Sequence, residues 1–222
     1  MQLDVTTTAC LRPEILSQTY SSFFILLKGL KVSTLYINVD PCPIKTSYIP
    51  NDVINVAKQF CINTIYRTPE KSCFSSAVNW LWSQANSEFI LHLEDDWLLL
   101  KEMDISVAIS LFKSNAKLNM VRFKHKHKTK YKYGLSPCLI RKSFYKAYAG
   151  NLHEDMDPEQ QINLRCREFN IEPRAIGKNI EVWPSGVVIR DIGTEWRTSK
   201  GIYFVNKDKN HASKVDRVRW SS

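Results

Sequence analysis

Apolar positions along this chain change period several times, and each change marks an element. Leu3–Thr8 is a short β-branched run that predicts a strand. In Arg12-Pro13-Glu14, Pro13 suits a first helical turn and Glu14 its positive end. Leu16, Tyr20, Phe23, Phe24 and Leu27 then recur at helical spacing as far as Gly29, a natural stop. Val32–Val39 predicts a second strand, closed by Asp40-Pro41-Cys42-Pro43. A helix from Asn51-Asp52 through about Phe60 and a third strand over Ile62–Tyr66 come next. Ser72 or a near neighbour caps a helix running through Ala85, with Ala77, Trp80 and Leu81 along one side. Phe89–Leu93 is a fourth strand, and it runs straight into Glu94-Asp95-Asp96.

The second half is less regular. Met103–Phe112 reads as a helix, Met120–Phe123 as a strand and Leu139-Ile140 as a short strand. Asp157 and Pro158 open another helix, as cap and first turn. Short β-like pieces follow Phe169, and Lys207–Arg219 is a basic, polar end. Strands alternating with helices through short connections predict an α/β fold: a central, mostly parallel sheet with helices on both faces. With no internal repeat and no long linker, residues 1–222 are expected to form a single domain.

Charge and cysteine usage narrow the setting. The net charge of +9 predicts an anionic partner: nucleic acid, a phosphorylated small molecule or an anionic membrane surface. The six cysteines show no CxxC spacing, so zinc is not expected and buried thiols in a reducing compartment are. There is no basic leader followed by an apolar core, and Phe23–Leu30 is too short for a span and is broken by Lys28. Neither secretion nor membrane insertion is expected, which points to the cytoplasm.

The carboxylate triplet is the main chemical feature. Three adjacent acids repel one another and call for a cation or a solvated turn. Mg2+ and Mn2+ favour carboxylate oxygens and are held on diphosphates by one or two of them, leaving positions for phosphate and water. At the carboxyl end of a central strand, the triplet lies where open α/β sheets take their ligands. A solvated turn with Asp95 or Asp96 as a cap is the structural alternative.

The span Ser76–Asp96, SAVNWLWSQANSEFILHLEDD, resembles the nucleotide-sugar half of GT-A glycosyltransferases, in particular the large inverting family. Ala77 and Asn79 match its helical positions, and Glu94-Asp95-Asp96 its Asp-x-Asp element, with Glu in the first place as a departure. The resemblance implies a GT-A, Rossmann-like domain. Residues 1–100 would be the nucleotide-binding half, 101–205 the acceptor-binding half and 206–222 a basic tail. It makes Asp96 the direct ligand of Mn2+ or Mg2+, with Glu94 or Asp95 on sugar, ribose or metal-bound water. Thr6, Thr7, Thr8, Arg12 and Pro13 match the first strand and turn where such enzymes hold the nucleotide. Asp40 matches an acid near the base, and Arg12 or Lys71 would meet phosphate.

His153-Glu154-Asp155-Met156-Asp157 is similar to the family's acidic element before the acceptor-side helix. The likeness makes Asp155 the candidate general base, with Glu154, Asp157 and Glu159 close enough to take its place. Relatives often complete the metal site with a C-terminal His. Here GVVIRDIG carries Asp191, so Asp191, His211 or water would do so. The likeness also extends, on size and lack of an anchor, to virus-encoded members. The implied function is metal-dependent transfer of a sugar, by default from a UDP-sugar, to a glycan or other hydroxyl acceptor with inversion.

Two other classes compete. Arg122–Tyr133, RFKHKHKTKYKY, places a cation at every even position from 122 to 132, with Phe, His, Thr and Tyr between. Extended, it would offer phosphate contacts on one face and stacking rings on the other, as in a nucleic-acid-binding protein or, with Glu94–Asp96, a metal-dependent nuclease. In the glycosyltransferase reading the same segment is a flap over the donor phosphates or an anionic acceptor. His125 and His127 are a possible metal pair. The third class is a non-catalytic glycan-binding module, for which Trp97 and Trp183 are candidate stacking rings.

Overall fold

A computed structural model describes residues 2–41, 46–126, 133–168, 174–176 and 186–200. His127, Trp183, His211, the rest of the basic run from 128 to 132 and the tail 206–222 lie outside the described residues. In chain order the elements are β1 (Gln2–Cys10), α1 (Pro13–Leu26), β2 (Leu27–Lys28), β3 (Lys31–Asp40), α2 (Pro50–Phe60), β4 (Thr64–Arg67), α3 (Phe74–Gln84) and β5 (Phe89–Glu94). They continue with β6 (Trp97–Leu99), β7 (Met103–Asp104), α4 (Ile105–Ser114), β8 (Met120–Phe123) and β9 (Cys138–Arg141). Then come α5 (Lys142–Phe144), running into a π-helical turn (Tyr145–Ala149), α6 (Pro158–Glu168), β10 (Arg174–Ile176), β11 (Ile189–Asp191) and α7 (Gly193–Ser199).

Seven strands form the main sheet in the order β10-β8-β9-β5-β1-β3-β4. β1 pairs in parallel with β3 and β5, β3 with β4, and β8 with β10, while β9 runs antiparallel to both β5 and β8. This is the mostly parallel α/β sheet that the alternation predicted. β6 pairs with β11 and β2 with β7 in two small ladders beside it. Among the described residues no helix is long and apolar enough to cross a membrane.

Alternation along each strand divides the core into two layers. Leu3, Val5, Leu35, Ile37, Phe89, Leu91 and Leu93 pack with Leu16, Tyr20 and Phe23 of α1, with α2 and with α4. Ile90, Tyr36, Met120 and Ile140 pack with Val78, Leu81 and Trp82 of α3 and with Ile162 and Cys166 of α6. Strands buried on both faces in this way leave no polar side, which is why they read as nearly continuous apolar runs.

His92 fixes the end of β5 on the α3 side. Thr6 Oγ1 (3.0 Å) and Trp82 Nε1 (3.1 Å) both lie against its Nδ1. An indole nitrogen only donates, so Nδ1 is the acceptor and the ring proton sits on Nε2. Burial lowers the His92 pKa to about 3, and the ring is neutral at physiological pH.

The helix ends follow local chemistry. Pro50 opens α2, whose Asp52 carboxylate accepts from Ile49 N at 2.9 Å. Cys73, the neighbour of Ser72, caps α3, its sulfur accepting from Ser76 N. The predicted helix at Met103 starts two residues later, because Asp104 caps it by accepting from Ser106 N at 2.9 Å. Gly29, at φ +74°, ends the turn after β2, a conformation that favours glycine.

Candidate active site

β1, β3 and β5 end side by side at one edge of the sheet. Register places Thr8 between Glu94 and Asn38, and Cys10 beside Asp40. Glu94 follows Ile90 and His92 in the alternation, so it faces the α3 and α6 layer. The next two residues leave the strand in a tight turn, with Asp95 N donating to Thr8 O at 3.0 Å and Thr19 Oγ1 donating to Asp95 O at 2.6 Å.

Asp95 turns toward α1. Arg12 grips it from Nε (2.8 Å) and Nη2 (2.5 Å), Cys10 N donates to it at 3.1 Å, and the same Nη2 reaches Asp96 Oδ2 at 2.8 Å. Burial works against the Arg12 charge, but Asp95 and Asp96 outweigh it and hold the guanidinium protonated. Breaking a buried pair of this kind by removing one partner costs about 3–5 kcal/mol. Arg12 therefore makes the acidic turn rigid.

Glu94 and Asp96 are in a different state. Burial, then the charges of Asp96 and Glu159, push the Glu94 carboxyl well above the usual range, although Trp97 Nε1 donates to its Oε2 at 2.8 Å. Asp96 is raised to about 6, first by burial and then, against the pull of Arg12, by Asp95 and Asp191. Among the described residues neither Glu94 Oε1 nor Asp96 Oδ1 takes a hydrogen bond. Glu94, Asp95, Asp96, Glu159 and Asp191 gather against Arg12, Arg122 and Arg197, so acids outnumber guanidiniums among the described residues.

That surplus and the two open oxygens are the chemistry of a site for a hard divalent cation held by few protein ligands. No group of three or more His, Cys, Asp or Glu side chains capable of holding a metal occurs among the described residues. Asp191, expected from the sequence as a further ligand, lies near Asp96 but turns both oxygens to Thr194, accepting from its N and its Oγ1 at 3.0 Å each.

The other candidates are distributed as follows. Thr6 and Thr7 are buried, Thr6 on His92 and Thr7 accepting from Tyr20 Oη at 2.8 Å, while Thr8 lies at the sheet edge. Asp40 accepts from Asn38 Nδ2 (2.7 Å) and Ser72 Oγ (3.2 Å), and burial raises its pKa. Lys71 is exposed next to Ser72. Asn79 brackets Leu152, donating to its O at 2.9 Å and accepting from its N at 3.1 Å, and so ties the acceptor-side segment to α3.

That segment docks on the first turn of α3. Ser75 Oγ donates to Met156 O at 2.6 Å, and Cys73 Sγ lies 3.8 Å from Glu154 O. Glu154 and Asp155 have exposed side chains, whereas Asp157 caps α6 through Gln160 N at 2.9 Å. Glu159 is the member of this acidic group that turns inward. Its Oε1 accepts from Leu135 N at 2.6 Å, and its charge acts on both Glu94 and Arg122.

Sequence reading singled out neither the inward turn of Glu159 nor Arg197. Arg122 opens the basic run, yet it is buried and donates to Ser136 Oγ at 3.0 Å. His125 packs its ring against Trp97 at 5.2 Å.

No protein-family model matches the chain, and no curated protein sequence matches it. Solved structures do. A mannosyltransferase from Pyrobaculum calidifontis, solved with GDP-Man and Mn2+, superposes with a TM-score of 0.62 at 11% identity over 88% of this chain and 60% of its own. The fold is GT-A-like. Residues 1–349 of S. aureus TarS with UDP-GlcNAc give a TM-score of 0.60 at 13% identity, covering 85% of this chain and 58% of that one. Glucosyl-3-phosphoglycerate synthase from Mycobacterium tuberculosis, with Mn2+ and UDP, gives 0.56 at 10% identity over 90% and 76%. A CMP:2-keto-3-deoxy-manno-octonic acid synthetase gives 0.54 at 12% identity, so the GT-A-like architecture here extends to nucleotidyltransferases. The chain spans 60% or less of the TarS and Pyrobaculum structures.

Proposed function

We propose that the chain transfers a sugar from a nucleotide-diphosphate sugar to an acceptor hydroxyl, with inversion at the anomeric carbon and with a UDP-sugar as the default donor. The observation that carries this reading is the carboxyl edge of β1, β3 and β5. There Glu94, paired in register with Thr8, and Asp96 each keep one carboxylate oxygen without a hydrogen bond among the described residues. Solved neighbours hold UDP-GlcNAc, GDP-Man, UDP and Mn2+, which supports the same ligand class here.

Asp96, with Glu94, would hold Mn2+ or Mg2+, whose chemistry is to neutralise charge on the departing diphosphate. Arg12 keeps the Asp95–Asp96 turn from moving as that charge develops. Asp40, held by Asn38 and Ser72, is the acid for the nucleoside end. Asp155 takes the proton of the acceptor hydroxyl as its oxygen bonds to the anomeric carbon and the bond to the diphosphate breaks. Glu154 lies next to that base. Asp157, used as a helix cap, positions the segment.

The nucleic-acid reading has less support, because the first cation of the basic run is buried among carboxylates rather than presented to a partner. Incubation with UDP- and GDP-sugars, Mn2+ and a panel of glycan acceptors is expected to release nucleoside diphosphate and give a glycoside of inverted configuration. Cleavage of single-stranded DNA or RNA with no turnover of any nucleotide sugar would reverse the assignment.

A further inference from the structure

The acidic pair Glu154-Asp155 stands on backbone that belongs to no helix or strand. Side chains hold that backbone instead. Four consecutive carbonyls are each taken by one: Arg165 donates to Gly150 O (2.5 Å) and Asn151 O (3.0 Å), Asn79 to Leu152 O (2.9 Å) and Gln161 to His153 O (2.9 Å). Two of these contacts are reciprocal. Asn79 also accepts from Leu152 N at 3.1 Å, and Gln161 Oε1 accepts from His153 N at 2.7 Å. The two amides thus treat adjacent residues as a neighbouring strand would, one from α3 and one from α6.

Gln161 goes further than Asn79. Met156 N donates to His153 O at 3.3 Å, which closes a four-residue turn with Glu154 and Asp155 at its two central positions. Gln161 Nε2 also donates to Met156 O at 3.0 Å, so one side chain binds both ends of that turn. A side-chain amide has two N–H donors and an acceptor oxygen, and here all of them are used on the turn. The two carboxylates between those ends are exposed, while Gln161 itself is buried.

We infer that Gln161 is a positioning residue for the general base: its amide holds the turn 153–156 in the conformation that presents Asp155 to the acceptor hydroxyl. This role rests on the glycosyltransferase reading with Asp155 as base. A base works only within hydrogen-bond reach of the proton it takes, and a displacement of about 1 Å costs about a hundredfold in rate. The side-chain hydrogen bonds of Gln161 run to His153, Met156 and Ser75, and none reaches Glu94–Asp96 among the described residues. Its loss therefore falls on attack by the acceptor and spares the donor nucleotide.

Transfer assays with a panel of UDP- and GDP-sugars, glycan acceptors and Mn2+ test this on the wild-type chain, Gln161→Met, Asp155→Asn and the double variant. Gln161→Met is expected to lower kcat by about tenfold to a hundredfold, with UDP or GDP affinity by calorimetry within about twofold of wild type. On the Asp155→Asn background the same change should cost less than about twofold, since no base remains to be misplaced. Thermal midpoints show whether each variant folds. Should Gln161→Met fail to fold, Gln161→Glu goes through the same cycle with the same expectation, because it keeps the acceptor for His153 N and lacks the two amide donors.

An equal loss from Gln161→Met on both backgrounds would overturn the positioning role, because the effect would not pass through Asp155. Wild-type turnover in a folded Gln161→Met, or a loss of nucleotide affinity as large as the loss of turnover, would overturn it too. Normal turnover in Asp155→Asn would take away the group being positioned and the inference with it, and leave sugar transfer standing. Absence of transfer from every nucleotide sugar by the wild-type chain would remove the underlying reading.

Discussion

Asp96→Asn is expected to abolish sugar transfer, by at least about a hundredfold, while the protein stays folded. The amide cannot supply the anionic oxygen that a hard cation requires. It leaves Arg12 bound to Asp95 through two hydrogen bonds, so the turn keeps its main support. Stability should hold or rise. The Asp96 pKa lies at about 6, above its ordinary value, so the folded state binds this proton more tightly than the unfolded chain. Stability from this group is then present at low pH and is lost as pH climbs from about 4 to about 6. Asparagine has no such charge to bury. Thermal unfolding at pH 7.5 beside a transfer assay checks both halves, and a variant with undiminished turnover would refute the role of Asp96.

Asp155→Asn is expected to lower turnover by about 10²–10⁴ while donor affinity is kept, because a general base acts only as the acceptor oxygen attacks. Glu159→Gln should behave differently. Glu159 accepts from Leu135 N, and its charge offsets the buried Arg122, so neutralising it disturbs the wall behind Glu94. Lower stability and altered donor binding are expected along with slower turnover. Gly134 makes that wall sensitive to shape as well as charge, since a Cβ there would come within 2.7 Å of Arg122 Nη2. Kinetics and nucleotide calorimetry on both variants separate the two acids. If Asp155→Asn turned over normally and Glu159→Gln lost only turnover, the base would be Glu159.

Most of the sheet was legible because its strands are buried on both faces and therefore read as β-branched or apolar runs, as in Val32–Val39 and Phe89–Leu93. The short ladders were not, since three residues such as Trp97–Leu99 or Ile189–Asp191 carry no period. The start of α4 falls two residues after Met103, because Asp104 takes the cap.

The site was legible in its acids and less so in its cations. Glu94-Asp95-Asp96 stand together in the sequence, but their differing roles come from the strand ending at Glu94, which sends Asp95 to α1. Arg12 reads as a phosphate contact in the sequence, and its hydrogen bonds to Asp95 and Asp96 become visible only in the fold. Within residues 154–159 the sequence cannot tell which acid faces inward, because Glu154, Asp155 and Asp157 lie in the turn before α6 and only Glu159 lies in its first turn. Arg197 is far from Asp96 in the sequence, and the packing of Gly193, with the Ile192 N to Asp96 O hydrogen bond, brings it there. A small residue followed closely by Trp and Arg was the available signal.

The most direct test is titration calorimetry of UDP-sugars and GDP-sugars into the wild-type chain with and without Mn2+. The account predicts binding of at least one nucleotide sugar, strengthened by Mn2+, as expected of a cation bridging Asp96 and a diphosphate. Failure of every nucleotide sugar to bind, or binding that Mn2+ and Mg2+ leave unchanged, would contradict it.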